Sequence, residues 1–369
     1  MRFLTANYLY PLNISPIKEG VLQLSDAGEV INIFENRNDV FTEKLEIFDG
    51  ILCPGFVNAH CHLELSHLLG KAEKGKGLLD FIGAIQQRNS YSAIEKQIAI
   101  NKAEQQMITN GIVAVGDICN TTDTLSQKQK RNLKYYNFIE VFGVEDDLVK
   151  QIISVAKYLR NQFRKAGQKA TISPHAPYSV PPKLMEEIKN SFSTEDELMT
   201  MHMQETKHEN DLFEYKRGSF YNWLKEINAS PEVWNYRTKS NSVLEELGNK
   251  KMLLVHNTFA KKKNVTDNYY CTCPKANLYI ENALPDYSIF DADKLCVGTD
   301  SLASNNSLSI LEELNIIQEN SNFDLNTLLK IACKNGAEAL GFEKLGTFEK
   351  GKIPGVNLIF DLNELKVIA

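Results

Sequence analysis

The sequence predicts an α/β protein, a (β/α)8 TIM barrel with a small β-sandwich domain built from both chain ends. Three observations support this fold class. Eight short apolar runs, each ending in polar residues, alternate with longer amphipathic segments through the middle of the chain, as in parallel βαβ units. The first fifty residues and the stretch 346–362 have the pattern of strands and turns. The 369 residues leave room for one barrel of about 250 residues and a smaller second domain.

The chain ends are predicted to be β-structure. Apolar runs at 21–24 and 30–34 flank the turn signal Asp26-Ala27-Gly28. Near the C terminus, glycines and a proline precede the apolar run 356–360. Because chain termini often lie close together, both ends are expected to join in one small domain.

The predicted domain boundaries follow from this division. Residues 1–54 and 344–369 form the composite β-sandwich domain, and residues 55–343 form the barrel. The predicted barrel strands lie at 55–59, 111–117, 135–142, 169–174, 198–203, 251–256, 268–273 and 294–299. The main amphipathic segments between them lie at 92–109, 147–166, 239–248, 308–319 and 325–340. The connection 206–250 is the longest, and we expect it to hold an extra helix that could cover the site.

Composition excludes several classes of protein. Apolar residues make up 43% and charged residues 24% of the chain, the balance of a globular domain, and the net charge of -6 comes without a basic stripe. No run of about 20 apolar residues suggests a membrane span, and the N terminus lacks a signal-peptide core. The seven scattered cysteines are typical of reduced thiols. A cytoplasmic protein that binds neither nucleic acid nor membranes is expected.

The first barrel strand carries a candidate metal-binding pair. In GFVNAHCHLE, His60 and His62 are two residues apart, so their side chains can point to the same side of the strand. Neutral imidazoles suit zinc and similar transition metals. The alternative is a pair of core or surface histidines, but the position at a strand end, after Pro54-Gly55, favours the metal.

The fifth strand carries a third imidazole and a carboxylate. In MTMHMQETKHE, His202 is the expected third nitrogen ligand. Glu205 lies three residues further on, where a carboxylate can take a proton from a metal-bound water. The alternative for Glu205 is a solvated loop acid, and that interpretation is preferred for His208 and Glu209.

The sixth and eighth strands each end in a candidate catalytic residue. His256 follows four apolar residues in KMLLVHNT, and we expect it to orient the attacking water rather than serve as a core histidine. Asp300 ends the eighth strand in KLCVGTDSLASNN. It can bind the metal and accept a proton, whereas a plain N-cap role is the alternative.

The fourth strand decides the number of metal ions. Its motif TISPHAPYS places His175 at the strand end, where it could contact substrate. Lys169 stands at the start of this strand, so a bridging carbamylated lysine is not available for a two-metal site. One divalent ion is therefore expected, with Zn2+ favoured and Fe2+ possible for three imidazoles and one carboxylate.

The ordered set GFVNAHCH, SPHAPYS, HMQE, LVHN and GTDSLASNN resembles the amidohydrolase superfamily. More closely, it resembles the branch of adenosine, S-adenosylhomocysteine and aminofutalosine deaminases and the triazine chlorohydrolases. The resemblance covers nearly the whole chain and includes IACKNGAEALGF and the closing GTFEKGKIPGVNLIF. The chain departs from the family at Asn357, where aspartate is usual, and at Ser301-Leu302, where many relatives have glycine and alanine.

The resemblance implies the same roles for the site residues as those inferred above from their positions on the strands. His60, His62, His202 and Asp300 would hold the metal, Glu205 would move the proton and His256 would steer the water. His175 would contact the substrate. HCHLELS, with Glu64, looks nearer to aminofutalosine deaminases, so Glu64 is included among the expected substrate-binding residues. Relatives also suggest a homodimer.

The sequence therefore predicts an enzyme that hydrolytically deaminates an N-heterocycle, such as an adenine-containing nucleoside derivative like aminofutalosine. Three alternatives remain open. The same site could hydrolyse a cyclic amide, an imidazolone or a chlorotriazine. The chain could be a barrel that binds metal and a small-molecule ligand without turnover, although metal binding alone needs no proton shuttle. An ordinary barrel without metal is the third alternative.

Overall fold

The computed structural model describes residues 1–40, 44–192, 197–227, 229, 231–248, 250–360 and 362–369. The strands of these residues are β1 (Arg2–Thr5), β2 (Tyr8–Leu9), β3 (Ile17–Lys18), β4 (Val21–Leu24), β5 (Val30–Phe34), β6 (Leu45–Ile47), β7 (Ile51–Pro54), β8 (Phe56–Cys61), β9 (Ile112–Cys119), β10 (Lys134–Val141), β11 (Lys169–Pro174), β12 (Met199–Met203), β13 (Met252–His256), β14 (Tyr269–Thr272), β15 (Leu295–Val297), β16 (Val356–Phe360) and β17 (Glu364–Val367).

The helices of the same residues are α1 (Leu78–Ile85), α2 (Ala93–Thr109), α3 (Leu125–Lys128), α4 (Val149–Lys165), α5 (Pro182–Lys189), α6 (Lys207–Tyr215), α7 (Ser219–Glu226), α8 (Ser242–Leu247), α9 (Pro274–Glu281), α10 (Ile310–Glu319), α11 (Leu325–Leu329) and α12 (Asn335–Ala339). A π-helical turn at Lys330–Lys334 joins α11 to α12, so the predicted helix 325–340 is one helix with a wide turn inside it. The described part of the long connection after β12 holds three α-helices, α6 to α8, where one was expected.

Strands from the chain ends form two mostly antiparallel sheets, and the second of these contains strands from both ends. One has the strand order β5-β4-β1-β6 and the other β17-β16-β7-β2-β3. The C-terminal strand β16 pairs with β7 of the N-terminal part. Side chains from both sheets, including Leu4, Leu22, Leu52 and Leu358, form one buried apolar cluster. Apolar faces on both sheets explain why the two ends come together, since neither sheet could bury its own face alone.

The eight strands from β8 to β15 form two parallel four-stranded sheets. Their orders are β11-β10-β9-β8 and β12-β13-β14-β15. Each strand lies within two residues of its predicted bounds at either end. The strands are buried on both faces. In β13, Leu253 and Val255 belong to one core cluster, whereas Met252 and Leu254 belong to another, which is typical of parallel sheets covered by helices.

Hydrogen bonds join the two parallel sheets at both edges. The backbone N–H groups of Thr299 and Asp300, just after β15, donate to the carbonyl oxygen of His60 in β8, both at 3.1 Å. At the other edge, the His202 N–H of β12 donates to the carbonyl oxygen of His175, which follows β11, at 2.8 Å. The carboxyl ends of strands from both sheets therefore lie side by side.

A glycine permits the close approach at the first of these edges. A Cβ atom added to Gly298 would come within 2.7 Å of the His60 carbonyl oxygen, too near for any side chain. Beside it, the Asn58 amide donates to the Thr299 hydroxyl at 2.8 Å and accepts from the Thr299 N–H at 3.0 Å. This packing fixes the position of the segment that ends in Asp300.

The helices pack with apolar stripes against the parallel sheets. In α4, the buried residues Val149, Ile153, Ala156, Leu159 and Phe163 recur at helical spacing. α2 begins at a capping box formed by Ser92 and Glu95. None of the helices in the described residues is both long enough and apolar enough to cross a bilayer.

Candidate metal centre and active site

Four donor atoms converge where β8, β12 and β15 end. The Nε2 atom of His62 lies 3.2 Å from that of His60 and 3.3 Å from that of His202. A carboxylate oxygen of Asp300 lies 3.3 Å from the His62 Nε2 atom and 3.6 Å from the His60 Nε2 atom. The four predicted ligands are thus brought together from both parallel sheets.

The donor set fits a tetrahedral divalent ion. Ligand bonds of about 2.0–2.1 Å place the corners of a tetrahedron roughly 3.3 Å apart, close to the separations of these atoms. Three imidazoles and one carboxylate are ligands that zinc and iron accept. The ring Nδ1 of His60 is buried without a hydrogen-bond partner among the described residues.

Hydrogen bonds fix the tautomers of two imidazoles. The His202 Nδ1 donates to the His175 carbonyl oxygen at 2.9 Å, which leaves its Nε2 lone pair facing the centre. The His256 Nδ1 lies 2.8 Å from the Asn277 side-chain oxygen, which can only accept. The His256 Nε2 therefore faces the site without a proton in the neutral ring.

Burial keeps the imidazoles neutral. It lowers the pKa of His62 to about 3 and that of His175 to about 4, and it lowers the pKa of His60 and His202 as well. Burial alone would raise the pKa of Asp300, but the nearby His60 and the other neighbouring imidazoles lower it on balance. Neutral imidazoles and an ionised carboxylate are the states that a cation requires.

The backbone bends sharply at three strand ends around this centre. Gln204, His256 and Asp300 have φ angles of 49°, 67° and 55°, in the left-handed region that side-chain-bearing residues rarely adopt. Such conformations persist where surrounding contacts over-determine them, and they cluster at functional sites. The seam hydrogen bonds to His60 provide such contacts for Asp300.

Glu205 and His256 form a pair beside the four donors. A carboxylate oxygen of Glu205 lies 3.6 Å from the His256 Nε2 atom, and both side chains are buried. Burial raises the pKa of Glu205 to about 7. The other carboxylate oxygen of Asp300 accepts a hydrogen bond from the Ser304 hydroxyl. With a pKa near neutrality, the Glu205 carboxyl group can both accept and return a proton.

His175 lies beside His202 at the edge of the four donors, whereas Glu64 does not line the cavity. The His175 Nδ1 is 2.7 Å from the Ser179 hydroxyl, and its ring borders the cavity described below. The Glu64 carboxylate instead accepts hydrogen bonds of 3.1 Å from the backbone N–H groups of Asn120 and Thr121 and from the Thr121 hydroxyl. Glu64 organises a loop in the structure, and its contact with substrate stays a prediction.

A cavity of about 510 Å3 opens over the metal centre. Its floor includes His62, His202, Glu205, His256 and Asp300. Its walls are mostly apolar and aromatic and come mainly from the loops after β8, β10 and β11 and from helices α1 and α7, with Leu78, Phe81, Ile82, Ile85, Phe142, Val144, Tyr178, Trp223 and Ile227 among them. The polar residues of the wall include Gln86, Arg88 and Asn89. This size and lining are those of a small-molecule site.

The amidohydrolase family model matches residues 51–368 of the chain. The chain belongs to this family. The predicted family is therefore confirmed. An adenosine deaminase of Helicobacter pylori is 26% identical over 336 residues, which cover 87% of this amidohydrolase and 81% of the relative. An aminodeoxyfutalosine deaminase of Nitratiruptor is 26% identical over 333 residues, covering 86% and 80%.

Solved structures share the fold of this amidohydrolase. The aminofutalosine deaminase of Helicobacter pylori superposes with a TM-score of 0.82 at 22% identity, over 98% of this chain and 93% of that one. An adenosine deaminase of Xanthomonas campestris, solved with bound zinc, superposes with a TM-score of 0.75 at 20% identity, over 98% and 84%. These likenesses establish a common α/β fold.

Two buried acids in or next to this site of the amidohydrolase, Glu140 and Glu209, were not predicted from the sequence to belong to it. Glu140, at the end of β10, lines the cavity with a buried carboxylate 3.6 Å from the His202 Nδ1. Its signal was a lone acid in the apolar run 135–142. Glu209 was expected to be solvated, which is wrong. It is buried and accepts the Gln204 N–H at 3.0 Å, since the left-handed turn at Gln204 leaves that N–H without a ladder partner.

Proposed function

We propose that this chain is a metal-dependent hydrolase that releases ammonia from an adenine nucleoside derivative. The observation that carries the proposal is the four-donor cluster of His60, His62, His202 and Asp300 with Glu205 beside it, at the floor of a cavity of about 510 Å3. Cavities of this size hold small molecules of nucleoside dimensions. The curated relatives are named as deaminases of adenosine and aminodeoxyfutalosine.

The Nε2 atoms of His60, His62 and His202 and a carboxylate oxygen of Asp300 would hold one divalent ion, most simply zinc, with Fe2+ as the alternative. Such an ion, when bound, makes water acidic enough to react at neutral pH. The Xanthomonas relative contains zinc. Elemental analysis of protein purified without chelator distinguishes the two metals, and a metal content far below one per chain would contradict the site.

The remaining residues handle substrate and protons. A water oxygen forms a bond to the amino-bearing ring carbon while Glu205 accepts the water proton and passes it to the adjacent ring nitrogen. His256, with its Nε2 directed at the site, orients that water. The carbon–nitrogen bond to the amino group then breaks, Asp300 relays the last proton and ammonia leaves. His175 hydrogen-bonds the substrate.

We also propose that the parallel strands close into one (β/α)8 barrel spanning residues 55–343, and that residues 1–54 and 344–369 form a composite β-sandwich domain. The hydrogen bonds at both edges of the parallel sheets support closure. The apolar cluster shared by the two end sheets supports the composite domain.

Replacing Glu205 with Gln tests the proposed function. Ammonia release from adenosine, 5′-deoxyadenosine and methylthioadenosine is measured with metal-loaded protein. We expect kcat to fall at least about 100-fold, because the amide cannot shuttle a proton. Glu319→Gln, an exposed residue of α10, is the matched control and should keep wild-type turnover.

Two results would contradict the proposal. One is turnover in E205Q within a few-fold of the wild type. The other is release of chloride or a ring-opened product from triazines or cyclic amides, with no ammonia from any aminated purine nucleoside.

A further inference from the structure

The Glu140 carboxylate has one oxygen without a partner. Its Oε2 accepts a hydrogen bond of 3.1 Å from the Asn120 side-chain amide. Its Oε1 is buried and has no hydrogen-bond partner among the described residues. A buried carboxylate oxygen left without a donor is costly, so its presence in a cavity wall indicates a donor that arrives with a ligand.

His202 is not that donor. Its Nδ1 is 3.6 Å from Glu140 Oε1, beyond hydrogen-bonding distance. The single proton on this nitrogen is already donated to the His175 carbonyl oxygen at 2.9 Å. A neutral imidazole has only one N–H, and the Nε2 of His202 faces the metal centre.

The position of Glu140 in the cavity wall indicates which part of a bound ligand it contacts. The reacting ring must lie over the four donors, near Glu205 and His256. Glu140 ends β10, in the half of the cavity bordered by the loops after β8, β10 and β11, where Phe142 and Tyr178 also lie. The part of the substrate beyond the reacting ring therefore extends past Glu140.

We propose that Glu140 binds the vicinal hydroxyls of the substrate sugar, so that the substrate class is a ribonucleoside rather than a free base or a deoxynucleoside. The inference rests on the proposed function. Two neighbouring hydroxyls supply two donors to the two oxygens of one carboxylate, and Asn120 holds that carboxylate in place. Polar residues also line the cavity, Arg88 among them, but none of the described residues donates a hydrogen bond to Glu140 Oε1.

The test compares sugars on wild-type and variant protein. We expect wild-type kcat/KM for adenosine to exceed that for 2′-deoxyadenosine about 10- to 100-fold, the value of a hydrogen bond to a charged group. Glu140→Gln should lose that factor for adenosine and change 2′-deoxyadenosine by less than about threefold. Glu145→Gln, an exposed acid of the following loop, should match the wild type.

If Glu140 acted only by positioning His202, the variant would give a different result. In that case E140Q would lower turnover of both nucleosides equally and reduce the metal content, and the proposal would be overturned. Equal turnover of both nucleosides by the wild type would overturn it as well.

Binding separates failure of this inference from failure of the proposed function. If no nucleoside releases ammonia, the dissociation constants of inosine and 2′-deoxyinosine test the contact between Glu140 and the sugar hydroxyls without any turnover. Tighter binding of inosine, lost in E140Q, supports the diol contact. Equal binding, or no binding of either nucleoside, refutes it.

Discussion

At the scale of single residues, the site combines buried carboxyls that titrate near neutrality with imidazoles that stay neutral. Burial raises the pKa of Glu205 to about 7 and lowers that of His62 to about 3. The same physical cause acts in opposite directions on an acid and a base, because burial always disfavours the charged form. The site is thereby prepared for a cation and for proton transfer near pH 7.

Turnover should consequently depend on pH through Glu205. Only the ionised carboxylate can accept a proton, so kcat at saturating adenosine should fall about tenfold per pH unit below about 7. Steady-state ammonia release between pH 5 and pH 9 measures this. A wild-type kcat that is constant from pH 5 to pH 7 would show that Glu205 is not the proton acceptor.

Asn277 should matter for turnover although it lies behind the site. Its side-chain oxygen is 2.8 Å from the His256 Nδ1 and fixes the tautomer that directs Nε2 at the site. Asn277→Ala should lower kcat about 10-fold and leave the metal content unchanged, because His256 is not among the four donors. Asn222→Ala, an exposed position of α7, is the control. Loss of metal in the Asn277 variant would argue against this role.

The site residues that could be predicted from the sequence are those whose position on or after an apolar strand marks them as candidates. His60 and His62 share a face of one strand, and His202, His256 and Asp300 end apolar strands, so their meeting follows from strand order alone. Glu140 and Glu209 could not be found in this way. Their burial results from contacts with the distant Asn120 and with a left-handed turn, which no local pattern encodes.

At the scale of elements, the junction between β8 and β15 depends on Gly298. A Cβ there would meet the His60 backbone within 2.7 Å. Gly298→Ala should therefore push apart the two strand ends that bear His60 and Asp300. We expect at least a tenfold weaker metal affinity and a loss of about 1–3 kcal/mol in the free energy of unfolding. Competition with a chelator and urea denaturation measure the two effects.

A matched glycine in an open position serves as the control for this variant. Nothing lies within 4 Å of a Cβ built at Gly83 in α1. Gly83→Ala should stabilise the protein slightly, since alanine is the better helix former. Equal effects of the two substitutions would contradict the packing argument at Gly298.

Strands were easier to predict than the helices that shape the cavity. The eight parallel strands are long apolar runs, and burial on both faces makes each run continuous. By contrast, α1 has only eight residues and follows the glycine-rich segment 70–77. It is stabilised by tertiary packing, since Leu78 belongs to an apolar cluster with Tyr178 and other distant side chains. A helix of that length has little stability of its own, so its sequence carries a weak signal.

At the scale of the whole molecule, the family and the succession of eight parallel strands were predicted from the sequence. The family is confirmed. The two chain ends are joined by the pairing of β7 with β16. The composite domain and its boundaries stay a proposal. The homodimer stays a prediction, because nothing in the pattern of surface residues identifies an interface.

The stability of the metal-free protein should fall as pH rises. Burial raises the pKa of several carboxyls above the usual 4.5, to about 7 or 8: Glu64, Glu140, Glu205, Glu209 and Glu313. Through these carboxyl groups the folded state binds more protons than the unfolded state between pH 4.5 and pH 8, so their contribution to stability declines across this range. We expect at least about 1 kcal/mol of loss between pH 6.5 and pH 8 in urea unfolding with chelator present.

The histidines produce the opposite slope at lower pH. Their lowered pKa values mean that the unfolded state binds more protons below about 6.5, so stability falls as pH falls. This slope offsets that of the carboxyl groups, so the free energy of unfolding should change much less between pH 5 and pH 6.5 than between pH 6.5 and pH 8. A decline that is as steep below pH 6.5 as above it would contradict the burial of the histidines.

The residues around the cavity fall into two groups, and this division affects how such an enzyme can change its substrate. The atoms that would break the bond sit on strand ends, while the walls come largely from connecting segments after β8, β10 and β11 and from α7. Mutations can remodel those segments without disturbing the reactive atoms. Libraries confined to residues 78–89, 142–144 and 219–227 should therefore yield catalysts for new molecules, with the old chemistry intact.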